Sequence, residues 1–250
     1  MAPSANWLPR LDGQTVMVTG AGRGIGRACA IALARTGAQV IAVSRTPADL
    51  ESLAAATNGT VSVWAEDVTR DSFYGRLESL SRLDVLVNNA GMNRPLPVET
   101  VDIPTLDAML ELNIRAVYRT SQSAARVMLS AGLGGSIIHM SSQMGHVGAA
   151  KRTVYCMTKH AVEGLTKALA VELAPRGIRV NSVAPTFIET DMTRPMFANP
   201  EFRRSVLENI PMGRIGQPED VVGAVVFLAS SASAMITGDS LRVDGGWTAR

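Results

Sequence analysis

Short apolar segments alternate with helical patterns along almost the whole 250-residue chain. The segments are, in order, QTVMVTG, AQVIAVS, TVSVWAED, LDVLVNNAG, GSIIHMSS, IRVNSVAP and SLRVDGG. Continuous apolar strands separated by helices are typical of a parallel sheet that helices cover on both faces. The pattern therefore predicts one doubly wound α/β domain over residues 1–250, with about seven parallel strands. The least regular stretch, residues 187–220, is a candidate lid over a substrate pocket.

Charge and cysteine content argue against several classes of partner. The 24 basic and 22 acidic residues give a net charge of +2 and form no basic block, which argues against nucleic-acid binding. Cys29 and Cys156 both lie in helical patterns, so we expect free thiols and a reducing, cytoplasmic compartment. No signal peptide is recognised, and no apolar run is long enough to span a membrane. The three histidines lack metal-ligand spacing, so no metal site is expected.

A glycine-rich turn follows the first apolar segment. The sequence TGAGRGIG, residues 19–26, leads into a helical pattern, and this arrangement lets a phosphate approach backbone N–H groups at a helix N-terminus. Its spacing, Gly20-x3-Gly24-x-Gly26, matches neither the G-x-G-x-x-G fingerprint nor the P-loop. A Rossmann-like, dinucleotide-binding turn is the functional interpretation. A tight turn that needs glycine only for packing is the alternative.

The end of the second apolar segment bears on the choice of nucleotide. An acidic residue there would bind a ribose 2′-hydroxyl group, whereas a basic residue would accept a 2′-phosphate. In AVSRT the position is Ser44, Arg45 follows it, and Arg23 lies in the glycine turn. Each arginine taken alone is best explained as a solvated surface charge. Together, and without a carboxylate, they favour NADP(H) over NAD(H).

Tyr155 and Lys159 lie four residues apart in the helical pattern TVYCMTKHAVEGLTKALAVELAP. This spacing places a phenol and an ammonium group on one helix face. Tyrosine, with a pKa of ~10, is a weak acid-base catalyst near neutral pH, and a nearby cation is expected to lower that pKa. The pair therefore predicts proton-transfer chemistry. A packed tyrosine beside a solvated lysine is the alternative.

Six short motifs occur in an order and spacing that resemble the short-chain dehydrogenase/reductase family: TGAGRGIG, NNAG, LELNIRA, HMSS, Tyr155-x3-Lys159 and VDGG. The resemblance covers essentially the whole chain and implies a catalytic set of Asn113, Ser142, Tyr155 and Lys159. Ser142 is preferred to Ser141 because it lies 13 residues before the tyrosine, the usual spacing in the family. By resemblance, Tyr155 transfers the proton and Ser142 donates a hydrogen bond to the carbonyl oxygen. Asn113 holds a water that relays protons from Lys159.

The resemblance also implies which residues contact the cofactor. The implied set is Gly20, Arg23, Gly24, Ile25, Gly26, Ser44 and Arg45, Asp67 and Val68 at the adenine, Asn89, Ala90 and Gly91 along the ribose, Pro185, Ile188 and Thr190 at the carboxamide, and Tyr155 and Lys159 themselves. The chain departs from the family pattern at Thr186, where glycine is usual. This side chain is expected either to narrow the nicotinamide pocket or to contact substrate.

Within the family, the segments AVSRTPADLESL, MSSQ and VYCMTK resemble the NADPH-dependent L-xylulose (dicarbonyl) and carbonyl reductases. The predicted substrate contacts are Gln143, His146, Thr186 and Met192. Gln143, His146 and Arg152 offer hydrogen bonds to hydroxyl groups or a carboxylate, although a solvated loop position is the alternative for each. An apolar wall would form if four methionines converge, namely Met92, Met144, Met192 and Met196.

We therefore expect an NADP(H)-dependent oxidoreductase that interconverts a ketone and a secondary alcohol on a small sugar, polyol or dicarbonyl compound. PTFIETDM and PMGRIGQPEDV also resemble acyl-carrier-protein reductases, so reduction of a 3-oxoacyl thioester is the alternative. A sensor that binds NADP without chemistry is disfavoured, because it need not retain Tyr155 and Lys159. The resemblance further implies a homotetramer that associates through the helices at about 104–129 and 153–174 and the apolar strand near MITGDSLRVDGG. The alternative is that these apolar faces belong to the core.

Overall fold

Seven parallel strands form one sheet in the computed structural model, which describes residues 9–249. They are β1 (Thr15–Thr19), β2 (Gln39–Ser44), β3 (Val61–Ala65), β4 (Val85–Asn88), β5 (Gly135–Met140), β6 (Ile178–Pro185) and β7 (Ser240–Val243). Their order across the sheet is β3-β2-β1-β4-β5-β6-β7. Each strand falls within one of the predicted segments, so the prediction of a Rossmann-like parallel sheet in a single α/β domain is confirmed.

The strand order reverses at β1, which pairs with β2 on one side and with β4 on the other. Met17 of β1 lies beside Ile41 of β2 and beside Leu86 of β4. The connections that follow β1 and β4 therefore run in opposite directions across the sheet. Such a reversal opens a crevice at the carboxyl ends of the two strands, where open α/β sheets bind ligands.

Helices cover both faces of the sheet, as predicted. They are α1 (Gly24–Arg35), α2 (Pro47–Ala56), α3 (Asp71–Glu78), α4 (Ile103–Leu110), α5 (Ala116–Ala131), α6 (Thr153–Leu173), α7 (Arg194–Phe197), α8 (Pro200–Asn209) and α9 (Pro218–Ala229). Val16 and Val18 of β1 belong to the apolar cluster that includes α1 and α9. Met17, which points to the opposite face, belongs to the cluster that includes α3, α5 and α6. The alternation along one strand thus produces two cores.

The two long predicted helices differ in regularity. The helix expected at 153–174 is found as α6, but the one expected at about 104–129 is not continuous. Its α4 and α5 parts are joined by a π-helical segment, Glu111–Arg115, which contains Asn113. The edge strand β3 also departs from the fully apolar pattern, because Val63 is 38% exposed while Val61 and Trp64 are buried. Central strands alone are covered on both faces.

Residues 187–220 carry an apolar cluster separate from the two main cores. Val206, Ile210 and Ile215 are buried there. The ring of Phe187 lies 5.6 Å, between centroids, from the ring of Phe202 and 5.6 Å from that of Trp247. The segment therefore has its own packing, which supports α7 and α8 above the carboxyl edge of the sheet.

Both cysteines have free thiols, of which Cys29 is buried and Cys156 half-buried. Burial raises the pKa of the Cys29 thiol to about 12, so it is unreactive at neutral pH. Between residues 9 and 249, no helix combines the length and apolarity that crossing a membrane requires. In the same part of the chain, no three His, Cys, Asp or Glu side chains are grouped so that they could hold a metal ion.

Gly26→Ala should destabilise the protein. A Cβ atom at this position would lie 2.3 Å from the carbonyl oxygen of Gly20 and 2.4 Å from Nδ2 of Asn89. Overpacking of this kind costs about 1–3 kcal/mol. Gly223→Ala is the matched control, because the added Cβ meets no atom within 4 Å inside α9, and this variant should gain about 0.5–1 kcal/mol. Urea unfolding measures both free energies, and wild-type stability of Gly26→Ala would contradict the packing argument.

Candidate active site

A cleft of about 470 Å³ lies at the carboxyl edge of the sheet, above β1, β4 and β5. Every residue that the sequence analysis assigned to the cofactor lines it: Gly20, Arg23, Gly24, Ile25, Gly26, Ser44, Arg45, Asp67, Val68, Asn89, Ala90, Gly91, Tyr155, Lys159, Pro185, Ile188 and Thr190. Ser142, Thr186 and Met192 line the same cleft. The glycine turn and the Tyr155 face, which are far apart in sequence, thus share one cavity of ligand-binding size.

The glycine turn ends β1 and opens α1 without a side-chain cap. Gly20 and Gly24 have φ angles of +66° and +55°, in the left-handed region that glycine adopts without strain. Arg23 occupies the N-cap position in an extended conformation, and its side chain makes no cap hydrogen bond. The first N–H groups of α1 are consequently available to an anion from the cleft, as a pyrophosphate site requires.

Arg23 and Arg45 are both exposed at the rim of this cleft. Within residues 9–249, neither guanidinium forms an ion pair, although the charge of Arg45 acts on Asp67. Burial raises the pKa of Asp67, but hydrogen bonds from Thr69 and the arginine charge outweigh it, so the pKa falls below its ordinary value. No carboxylate follows β2 at Ser44, so two cations face this end of the cleft.

Tyr155 and Lys159 lie on the cleft side of α6. The Nζ atom of Lys159 is 5.6 Å from the centroid of the Tyr155 ring and donates a 2.7 Å hydrogen bond to the carbonyl oxygen of Met140. Burial lowers the pKa of Lys159 to about 8, and the charge of Glu163 opposes this change. The lysine therefore carries its charge at neutral pH, although burial makes that charge costly.

The expected lowering of the tyrosine pKa is not found in the protein by itself. Burial raises the pKa of Tyr155 above its ordinary value, and the hydrogen bond with Ser142 and the charge of Arg152 only partly oppose this effect. Removal of the phenol from water thus outweighs the charge of Arg152, because an anionic phenolate is poorly solvated in a buried site. The phenol is protonated and suited to donate a proton.

Ser142, rather than Ser141, is the serine that reaches Tyr155. Its Oγ also accepts a 3.2 Å hydrogen bond from the N–H of Met144 in the turn after β5. The Oγ of Ser141 is buried without a hydrogen-bond partner. The two adjacent side chains point in different directions because they continue a strand.

Asn113 stands behind the cleft and does not line it. Its Oδ1 accepts a 2.9 Å hydrogen bond from the N–H of Met92, and its Nδ2 donates to the carbonyl oxygen of Met92 at 2.8 Å and to Oγ1 of Thr158 at 3.2 Å. The amide therefore ties the segment after β4 to α6. Gly91 lies between this amide and the lysine, since a Cβ there would be 3.4 Å from Oδ1 of Asn113 and 3.8 Å from Nζ of Lys159.

The predicted substrate contacts separate into two groups. Thr186 and Met192 line the cleft, and the Oγ1 of Thr186 is buried without a partner. Gln143 and His146 are not among the lining residues. The turn after β5 carries His146 away, so that its Nε2 hydrogen-bonds Oγ of Ser240 at 2.9 Å. The expected methionine wall is also incomplete, because the cleft is lined by Met92 and Met192 but not by Met144 and Met196.

One buried carboxylate was not singled out from the sequence. Glu163, one helical turn after Lys159, is 5% exposed and accepts hydrogen bonds from Oγ of Ser182 at 2.9 Å and Oγ of Ser240 at 3.1 Å. Its Oε1 lies 3.5 Å from Nε2 of His146. Its position four residues after the lysine was the available sequence signal. The stripe formed by Tyr155, Lys159 and Glu163 therefore places an anion behind the ammonium group.

Comparison with known proteins agrees with this geometry. A family model described as enoyl-(acyl carrier protein) reductase matches residues 20–248. Together with the parallel sheet, the glycine turn and the clustered Ser142, Tyr155 and Lys159, this match defines the class: the chain belongs to the short-chain dehydrogenase/reductase family of oxidoreductases.

Individual relatives match along almost their entire lengths. The chain is 42% identical to L-xylulose reductase of Mesocricetus auratus over 237 residues, covering 95% of this chain and 97% of that protein. It is 40% identical to 3-oxoacyl-[acyl-carrier-protein] reductase of a Synechocystis strain, covering 94% and 97%. The crystal structure of a gluconate 5-dehydrogenase from Burkholderia cenocepacia, in complex with NADP and tartrate, superposes with a TM-score of 0.91 at 32% identity, covering 96% and 97%.

Lys159 should make the free energy of unfolding depend on pH above neutrality. Its pKa is about 8 in the folded protein and 10.5 as an ordinary side chain, so the folded state loses the proton first as the pH rises. Below about pH 8 both states are protonated and the folded state carries the cost of burying the charge. Between about pH 8 and pH 10.5 the folded state loses the proton and this cost disappears, so the free energy of unfolding rises by at most about 3 kcal/mol. Urea unfolding at about pH 7.5 and about pH 10 should show this gain relative to Lys159→Met. Lys167→Met, which alters an exposed lysine of α6, should show the same gain in stability as wild type. Equal gains in wild type, Lys159→Met and Lys167→Met would show that Lys159 is not the cause.

Proposed function

We propose that the protein interconverts ketones and secondary alcohols with NADP(H), and that its substrate is a small sugar, polyol or dicarbonyl compound. The observation that carries this proposal is the single cleft that joins the open N-terminus of α1 to the buried face of Tyr155 and Lys159. One end suits a dinucleotide phosphate, and the other supplies a proton donor beside a fixed cation.

The residues present fit NADP(H). The uncapped N-terminus of α1 would hold the pyrophosphate, and the guanidinium groups of Arg23 and Arg45 would hold the 2′-phosphate, since no acidic residue stands at Ser44. The cofactor, when bound, supplies or accepts the hydride. The similar gluconate 5-dehydrogenase was crystallised with NADP, which supports the same choice for this chain.

The chain's own residues account for the movement of the proton. The buried, protonated phenol of Tyr155 donates its proton to the carbonyl oxygen during reduction and takes it back during oxidation. Ser142, which lines the cleft together with that tyrosine, orients the same oxygen. The ammonium group of Lys159 stabilises the phenolate that remains, and Asn113 positions the segment after β4 against α6.

The alternative substrate is a 3-oxoacyl thioester. The similarity to the Synechocystis reductase favours it, and the description of the matching family model also names an acyl carrier protein. An assay of NADPH oxidation with acetoacetyl thioesters beside sugars and α-dicarbonyls distinguishes the two. Reduction of any carbonyl compound in that assay would exclude the third possibility, a sensor that binds NADP without turnover.

We also propose that residues 187–220 form a lid and that the protein is a cytoplasmic homotetramer. The lid is supported by Met192, which lines the cleft, and by the separate apolar cluster beneath α7 and α8.

Association through α5 and α6 is supported by large exposed side chains on both helices, namely Tyr118 (48%), Met157 (48%) and Val171 (80%). The two free thiols are consistent with a reducing compartment.

Tyr155→Phe should lower kcat for carbonyl reduction by about 10²- to 10⁴-fold, because it removes the proton donor and little else. Stopped-flow and steady-state absorbance of NADPH measure the loss, and fluorescence titration should show that NADPH still binds. Tyr118→Phe is the matched control, because that tyrosine is 48% exposed on α5. Wild-type turnover by Tyr155→Phe would refute the proposed role.

Arg45→Ala should weaken NADPH binding by about 10- to 100-fold, the value of a charge-assisted hydrogen bond to phosphate, and should leave NADH binding almost unchanged. Fluorescence titration with the two nucleotides measures both dissociation constants. Arg35→Ala, which alters an exposed arginine at the end of α1, is the control. Equal weakening for NADH and NADPH would show that Arg45 does not contact the 2′-phosphate.

A further inference from the structure

Arg152, the residue that precedes α6, is a buried arginine without an anionic partner. Its side chain is only 5% exposed. Its Nη2 contacts Sδ of Met196 in α7 at 3.3 Å, and its Nη1 has no hydrogen-bond partner in the described part of the chain. A thioether sulfur is a weak acceptor, so the guanidinium is left largely unsatisfied. A buried charge in this condition is strongly destabilising unless a ligand or water completes it.

Two acidic residues of the lid region, Glu189 and Asp191, have another arginine as their partner. Asp191 accepts a 2.8 Å hydrogen bond from Arg194, and Glu189 lies 3.9 Å from the same arginine. Glu163 accepts its hydrogen bonds from Ser182 of β6 and Ser240 of β7. Arg152 forms no ion pair with any carboxylate in residues 9–249. The cation is therefore not explained by a structural salt bridge.

Two further observations bring this cation close to the substrate end of the cleft, although Arg152 is not itself among the residues that line it. Arg152 and Tyr155 are three residues apart at the start of α6, and the guanidinium charge acts to lower the pKa of the phenol. The N-terminus of α6, a helix of 21 residues, has no side-chain cap and no acidic residue in its first turn. Free N–H groups and the helix dipole there add to the attraction for an anion.

We propose that Arg152 binds a carboxylate of the substrate, so that the physiological substrate is a keto or hydroxy sugar acid rather than a neutral sugar. This inference rests on the proposed function and narrows its substrate class. The planar guanidinium matches a carboxylate with two parallel hydrogen bonds. The carboxylate takes no part in the reaction: in reduction the carbonyl carbon gains the hydride of NADPH, and its oxygen gains the proton of Tyr155.

The other unpartnered polar atoms support a polyhydroxy substrate. Oδ1 of Asn93, Oε1 of Gln143 and Oγ1 of Thr186 are buried without hydrogen-bond partners. They follow β4, β5 and β6, whose carboxyl ends meet at the same edge of the sheet. Of these residues only Thr186 lines the cleft, together with Ser141, whose Oγ is also buried without a partner. Hydroxyl groups of a sugar acid would satisfy these two side chains.

The kinetic test compares 5-keto-D-gluconate with L-sorbose, which differ in whether one end of the chain is a carboxylate or a hydroxymethyl group. We expect wild type to favour the acid in kcat/KM, and Arg152→Met to reduce that acid-to-neutral ratio by about 10- to 100-fold, mainly through KM. Arg152→Lys should restore part of the ratio. Arg176→Met, which removes an exposed arginine beyond the other end of α6, should keep it in full. An unchanged ratio in Arg152→Met would overturn the proposal.

A binding test does not depend on turnover. With NADP⁺ present, gluconate should raise Tm of wild type and of Arg176→Met, D-sorbitol should not, and Arg152→Met should lose the response. Arg152→Met without ligand should melt at or above the temperature of wild type, because an unpaired buried charge is removed. A lower Tm would indicate a structural role and overturn the proposal, as would equal responses to gluconate and D-sorbitol.

Two further arms separate the possible failures. Stronger stabilisation by D-sorbitol 6-phosphate than by gluconate would assign Arg152 to phosphate and overturn the carboxylate assignment. Absence of NADPH oxidation with every carbonyl compound, while gluconate still stabilises wild type but not Arg152→Met, would refute the proposed activity and keep the anion site. Diacetyl reduction by a protein whose Tm does not respond to gluconate would keep the proposed activity and refute the anion site at Arg152.

Discussion

The joint between the carboxyl ends of β1 and β4 is the constraint on which the cleft depends. Nδ2 of Asn89 donates to the carbonyl oxygens of Thr19 at 3.0 Å and Gly20 at 3.2 Å. The hydroxyl group of Thr19 in turn accepts from the backbone N–H groups of Asn89 and Ala90 at 3.0 and 3.1 Å. These bonds fix the glycine turn against the end of β4, and the missing side chain of Gly26 lets α1 approach. Without this joint, the open helix N-terminus and α6 would not face one cavity.

Desolvation dominates the electrostatics of the substrate end. Lys159, Arg152 and the phenol of Tyr155 are all removed from water, and burial acts on each pKa in the direction that favours the neutral form. The buried carboxylate of Glu163 counteracts this effect on the lysine alone. Arg152 has no such anion among the described residues, so the site contains more positive charge than its own side chains neutralise. A water-poor pocket makes every charge that a substrate brings more influential.

The sequence alone predicted the sheet, because apolar strands of fixed order and a glycine turn are local signals that tertiary packing seldom overrides. The residues that line the cleft were named from the family resemblance, and parallel strands explain why they meet at one edge of the sheet. The rest depended on side-chain direction and burial. Neighbouring loop positions can face opposite ways, as Ser142 and His146 do. Whether a cation lowers the pKa of Tyr155 depends on how much water the fold excludes. That Arg152 has no anionic partner can be seen only when the positions of the surrounding carboxylates are known.

Arg152 belongs to the connection between β5 and α6, and its guanidinium is attached to the remainder of the protein by little more than a thioether contact. Ser142 sits at the end of the strand and Lys159 within the helix, so a substitution at position 152 need not move either of them. The proposed substrate anchor and the groups that move the proton are thus different residues, although Arg152 stands only three positions before Tyr155. One substitution in this connection would therefore change which substrates the cleft retains and leave the proton donor and its lysine in place.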